Sequence, residues 1–103
     1  MAQFDVYELQ VGKTSLFVVE IQSNLLSELG TTVVVPLKPL QEAKNELTTR
    51  LKPIVNLSGS PYVFMATDVS AILRGKLSAP VQNIEAQHRD DIIGALDFLI
   101  SGF

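Results

Sequence analysis

Residues 85–103 read EAQHRDDIIGALDFLISGF, and their rhythm differs from that of everything before them. Ile92, Ile93, Leu96, Leu99, Ile100 and Phe103 recur at the three- and four-residue spacing that lays one apolar stripe along a helix. Asp90 and Asp91 sit in the N-terminal half, where negative charge suits the helix dipole. This spacing predicts one helix from about Glu85, with Phe98 off the main stripe. Ile92, Leu96 and Leu99 are expected to serve the core of the barrel and of its dimer, and Ile100, Ser101, Gly102 and Phe103 to project where a partner can reach them.

Upstream of this helix the pattern is that of strands and turns. FDVYELQ (residues 4–10) and SLFVVEIQ (residues 15–22) flank VGKT, whose glycine suits a hairpin. The second run is rich in the branched and aromatic residues that pack on a pleated surface. SNLLSELG (residues 23–30) breaks the pattern with turn formers, and TTVVVPL (residues 31–37) resumes it as a strand buried on both faces. Pro36 is expected to put the end of that strand at an edge or bulge. Leu40, Ala43, Leu47 and Leu51 predict a loop with a short helix, stopped by Pro53. PIVNL and PYVFMAT then read as a hairpin across SGSP, and a further short strand is expected near Lys76 to Val81. Strands in series closed by one helix suggest a small barrel or curled sheet, in the α+β class but mostly β.

A chain of 103 residues is one domain, 1–103, by the usual size prior. Apolar residues make up 47% and charged residues 18%, with mean hydropathy +0.27, so some apolar surface is expected to be covered by a second copy. The net charge of −3 disfavours direct binding of nucleic acid, whose affinity rests on basic surface. With no cysteine, disulfides, thiolate metal sites and cysteine nucleophiles are excluded. No signal-peptide pattern opens the sequence and no apolar run is long enough to span a membrane, so a cytoplasmic location is expected.

Catalytic motifs are sparse. His88 is the single histidine, and a histidine beside charges on a helix reads as a surface residue or a structural hydrogen bond. Ser58, His88 and Asp68 name a triad only on paper, because no nucleophile elbow surrounds any serine. RGKL (residues 74–77) lacks the upstream glycine of a phosphate loop. Asp90 and Asp91 are adjacent and face different sides of a helix, so no metal site is expected. Arg50, Arg74 and Arg89 read as solvated surface charge.

Taken in order, QFDVYE, LFVVEIQSNLL, GTTVVVPL, RLKPIVNL, VFMATDVSAI, HRDDIIGALDFLI and the closing GF resemble the CcdB family of toxins over nearly the whole chain. The resemblance implies an SH3-like barrel of CcdB/MazF type with a C-terminal helix, assembled as a homodimer. It also implies a non-enzymatic toxin that binds the A subunit of DNA gyrase and traps the cleaved-DNA complex, without a cofactor. A CcdA-like antitoxin would neutralise it, and DNA would be met only through the toxin–antitoxin repressor complex. Carried over by position, the gyrase-binding residues are Leu25, Leu26, Asp97, Ile100, Ser101, Gly102 and Phe103. Two of these depart from the family pattern: Ser101 stands where well-known members have a tryptophan that stacks on an arginine of gyrase, and Asp97 replaces an amide. A serine offers neither stacking nor cation–π attraction.

Two alternatives accompany this expectation. The same fold in MazF and Kid cleaves RNA, and here Arg50, Arg74, Lys76 and His88 would supply the chemistry. A CcdB-like protein that binds antitoxin without toxicity is the other.

Overall fold

The computed structural model describes residues 2–43 and 50–102. Seven strands are present among them: β1 (Asp5–Val11), β2 (Thr14–Glu20), β3 (Thr31–Pro39), β4 (Ile54–Leu57), β5 (Ser60–Phe64), β6 (Ser70–Leu73) and β7 (Gln82–Asn83). One helix, α1, covers Glu85–Ser101. The sheet runs β4-β5-β3-β2-β1-β7 with β6 also paired to β3, and every pairing is antiparallel.

Both predicted hairpins form, each for a local reason. Gly12 takes φ +63° between β1 and β2, as a glycine in the first central position of a tight turn does. Between β4 and β5, Ser58 and Gly59 both lie at positive φ (52° and 82°), the signature of the turn whose twist matches its strands. Phe4 is the costlier exception, with φ +71° at a bulky, fully buried residue. It is held by a hydrogen bond from its N–H to the Glu20 carbonyl (2.7 Å) and by one that its own carbonyl accepts from Ile84 (3.0 Å).

Pro36 does not end its strand. β3 continues to Pro39 and is paired on both sides, with Pro36 opposite Val18 in β2. On the other side, β6 pairs as far as Val34 and β5 from Leu37, and the Pro36 carbonyl accepts from Met65 between them (3.1 Å). A residue's N and O point the same way in a strand, so the missing N–H falls in the gap where one neighbour gives way to the next. The extra strand expected near residues 76–81 is replaced by β6 and β7, with Arg74–Lys76 forming a single 3-10 turn between them. Of the stretch from Leu40 to Leu51 expected to hold a short helix, Leu40–Glu42 forms a 3-10 turn, and residues 44–49, with the stripe position Leu47, lie outside the described residues.

The strand order leaves a seam between β4 and β7, so the barrel is nearly closed rather than closed. Side chains bridge the seam. The Gln82 side-chain carbonyl accepts from the Ser58 N–H (3.0 Å), and His88 Nε2 accepts from the Asn56 N–H (3.0 Å). Asn56 stands opposite Pro61 in the β4–β5 pair, and its N–H points outward to the imidazole. The edge strand thereby has its donor satisfied by the helix that covers it.

The main core lies between the curled sheet and α1, from Phe4, Val19, Val35, Val55, Phe64, Ile92 and Ala95 among others. Ile93, Leu96 and Leu99 pack on it half-buried, so the stripe does hold the helix. A second cluster on the sheet's other face gathers Tyr7, Val18, Val34 and Leu77. No helix is long and apolar enough to cross a membrane among the described residues. Ile92 is fully buried at the centre of the helix face. Ile92→Ala is expected to lower stability by about 2–5 kcal/mol in urea unfolding, the usual range for such a truncation.

Candidate functional site

β2 delivers a carboxylate into the sheet. Glu20 closes the apolar run LFVVE, its side chain is 4% exposed, and three elements converge on it. Tyr7 in β1 donates its hydroxyl to Oε1 (3.3 Å), and Thr32 in β3 donates to Oε2 (2.6 Å). Arg74, just after β6, brings Nη1 to Oε2 at 2.9 Å and donates from Nε to the Leu29 carbonyl (3.1 Å). A buried carboxylate without partners would be prohibitive, and removing one member of a buried ion pair typically costs about 3–5 kcal/mol. Burial, followed by the negative charges of Glu20 and Asp5 and the hydrogen bond to Glu20, holds the Tyr7 hydroxyl protonated well above its ordinary range near 10.

The 3-10 turn Arg74–Lys76 is fastened by this contact and by the Arg74 N–H on the Gly30 carbonyl (2.9 Å). Lys76, at the other end of the turn, is exposed. Leu29 and Leu73 flank the turn, 51% and 60% exposed, so a cation stands beside an apolar surface.

The four basic residues named for RNA chemistry are thus divided by the fold. His88 is buried and serves as an acceptor at the barrel seam. Arg74, with its side chain 15% exposed, is a structural cation and not the solvated charge expected of it. Arg89, outside that set, pairs with Glu85 on the helix surface and lies 5.5 Å from the Phe4 ring centroid. Arg50 and Lys76 are exposed, and Arg50 lies 4.4 Å from the centroid of Phe98, the residue off the helical stripe. Glu20 was missed by the motif search. The available signal was a carboxylate inside an apolar strand run, which demands a partner when the strand is buried.

The residues expected to meet gyrase lie on two elements. Leu25 and Leu26 belong to a 3-10 turn capped by Ser23, and Leu25 is 94% exposed. Ile100 is 83% exposed at the end of α1, and Asp97 faces solvent. Ser101 turns back on its own helix, donating from Oγ to the Asp97 carbonyl (2.8 Å). Gly102 ends the helix in the left-handed conformation (φ +78°) with its N–H on the Phe98 carbonyl (3.0 Å), a common glycine stop. Phe103 lies outside the described residues.

The family model described as CcdB protein matches residues 3–102. The chain belongs to the CcdB family. Among solved structures, the CcdB-family fold described here is similar to an endoribonuclease in complex with its cognate antitoxin from a mycobacterial species. The TM-score is 0.76, with 16% identity over 94% of this chain and 91% of that one. At that identity the likeness is one of fold.

This likeness corrects the expectation of a gyrase poison without enzymatic activity. A solved protein that shares the barrel and helix almost end to end is an endoribonuclease, so neither the gyrase A subunit as partner nor the absence of catalysis follows from the architecture. No group of acidic residues and histidine able to hold a metal ion occurs among the described residues.

The Tyr7 hydroxyl ties alkaline stability to this cluster. Its folded-state proton is held above the unfolded value, so its contribution is complete below pH about 10 and is lost as pH rises further. In urea unfolding followed against pH, Tyr7→Phe is expected to lose about 0.5–1.5 kcal/mol at neutral pH through the missing hydrogen bond. Above pH about 10 the variant is expected to decline less steeply than the wild type.

Proposed function

We propose that this CcdB-family protein is the toxin of a toxin–antitoxin module, that an antitoxin neutralises it, and that it acts on RNA as an endoribonuclease of the MazF/Kid kind. The observation that carries the reading is the near full-length correspondence with a solved endoribonuclease–antitoxin pair at TM-score 0.76. The residues support a particular division of labour. Cleavage of RNA gathers negative charge at the reacting phosphate, and a fixed, exposed cation is the group that stabilises it. Lys76 meets that description, being exposed on a turn that the Arg74–Glu20 pair and the Gly30 carbonyl hold in place. Arg74 is then a positioning residue. The net charge of −3 makes this local placement matter, because overall attraction to a polyanion is absent.

A homodimer belongs to the same reading. β6 pairs with β3 alone, and its exposed Leu73 lies with Leu29 beside the basic turn. An edge strand with apolar neighbours favours association with a second copy. Such a contact would set the two Lys76 turns along one interface.

Two measurements test this. The purified protein is expected to cut a long single-stranded RNA, the cut is expected to be suppressed by the antitoxin encoded beside it, and Lys76→Ala is expected to slow cleavage by about 10-fold or more without moving the thermal midpoint. Intact RNA at stoichiometric protein would overturn the nuclease reading. By sedimentation, Leu73→Asp is expected to convert a dimer into a folded monomer, and a wild type that sediments as a monomer would overturn the dimer.

A further inference from the structure

β2 and β3 are paired only from Phe17 with Leu37 to Glu20 with Val34. β2 nevertheless begins at Thr14, and β3 runs on to Pro39. The strands therefore part over residues 15–16 and 38–39, opening a cavity of about 410 Å³. A second cavity of about 510 Å³ continues from it, sharing Pro39, Glu42 and Tyr62 and reaching Ser60 and Pro61. Together they form one elongated groove. Its apolar walls include Phe17, Tyr62, Pro36, Pro39 and Pro61. Phe17 and Tyr62 meet edge to face, centroids 5.7 Å apart and planes at 90°, so the wall is stepped rather than flat. Among the described residues, charge at the rim comes from Glu42 and Asp68 against Lys38, a net negative balance.

We propose that this groove binds a polyproline-type segment of a partner protein that carries a basic residue. Such a segment has no internal hydrogen bonds, is already extended before binding, and fits aromatic-lined grooves with little further loss of entropy. The two rim carboxylates supply the complement to its cation. Other occupants fit the same walls less well. Addition of a β-strand needs a row of backbone donors, and Pro39 and Pro61 supply none. A polynucleotide would bring phosphates against Glu42 and Asp68. A symmetric second copy would set those carboxylates against their own counterparts. The groove is lined by none of the residues assigned to RNA chemistry, so the proposal stands apart from the ribonuclease reading.

The test is fluorescence anisotropy with the full chain and a short labelled peptide of one arginine followed by Pro-Pro-Leu repeats. Saturable binding is expected, weakened about 10-fold or more when glycine replaces the prolines or when the protein carries Tyr62→Ala. Asp68→Lys, at an exposed position outside the core, is expected to weaken binding several-fold, with the loss shrinking as salt is raised. Tyr62→Ala is read only if its thermal midpoint shows a folded protein; Asp68→Lys decides otherwise. Absence of saturable binding, equal binding of the glycine peptide, or affinity unchanged in Asp68→Lys would overturn the proposal. Displacement of the peptide by single-stranded RNA, or self-association that masks the groove, would overturn it equally.

Discussion

A single buried carboxylate ties the sheet together. Glu20 ends β2, yet its side chain is met by β1 through Tyr7, by β3 through Thr32 and by the segment after β6 through Arg74. Its backbone carbonyl also receives the strained Phe4 N–H. Three separate pieces of chain must meet β2 before that charge is satisfied. Its burial is therefore tolerable only in the finished fold, and a register shift in any of these strands would leave it unpaired. Such a group adds little net stability compared with an apolar replacement, but it penalises the wrong arrangements severely. The same contact fixes the turn that carries Lys76, so the stability of the sheet and the placement of an exposed cation rest on one interaction.

The second constraint is the seam. A seven-stranded curl that stops short of closure exposes the edges of β4 and β7, and exposed edges invite pairing with other chains. Here polar side chains occupy the gap. Gln82 reaches the Ser58 turn, and His88 takes the outward N–H of Asn56. Asn83 serves both sides of the problem: its amide nitrogen donates to Asp5 (2.9 Å) and to the Gln3 carbonyl (3.1 Å), and its oxygen accepts from the Glu85 N–H (3.0 Å). Ile84 offers no side-chain cap to α1, so the first turn of the helix depends on the strand that precedes it. Helix and barrel edge thus complete each other.

What the sequence disclosed follows from which signals are local. The hairpins at Gly12 and Ser58–Gly59 and the helix from Glu85 were legible because turn chemistry and helical spacing act within a few residues. The fate of Pro36 was not, because it depends on where β6 stops and β5 begins on the far side of β3, a tertiary fact. β6 and β7 were missed for a related reason, as strands of four and two residues carry too little pattern to be seen. Among candidate residues, His88 was read as either a surface residue or a structural hydrogen bond; it is buried and accepts from the Asn56 N–H, a partner 32 positions away. Arg74 was misread as solvent-facing because its partner lies 54 positions away in the chain.

The placement of charge also explains how one architecture can carry different activities. The barrel and helix need Glu20, Arg74, Gln82 and His88 for their own assembly, and these polar groups are thereby withdrawn from chemistry. What can change without disturbing that assembly is the surface: the turn ending at Lys76, the exposed leucines beside it, the helix end at Ile100, and the groove between β2 and β3. A substitution at position 101, exposed at the helix end, leaves the core untouched. Surface substitutions of that kind cost the fold little, whereas loss of a buried partner costs several kcal/mol. An interior this demanding constrains the shape while leaving the surface to vary, so the family match speaks to the fold of this chain rather than to what its surface meets.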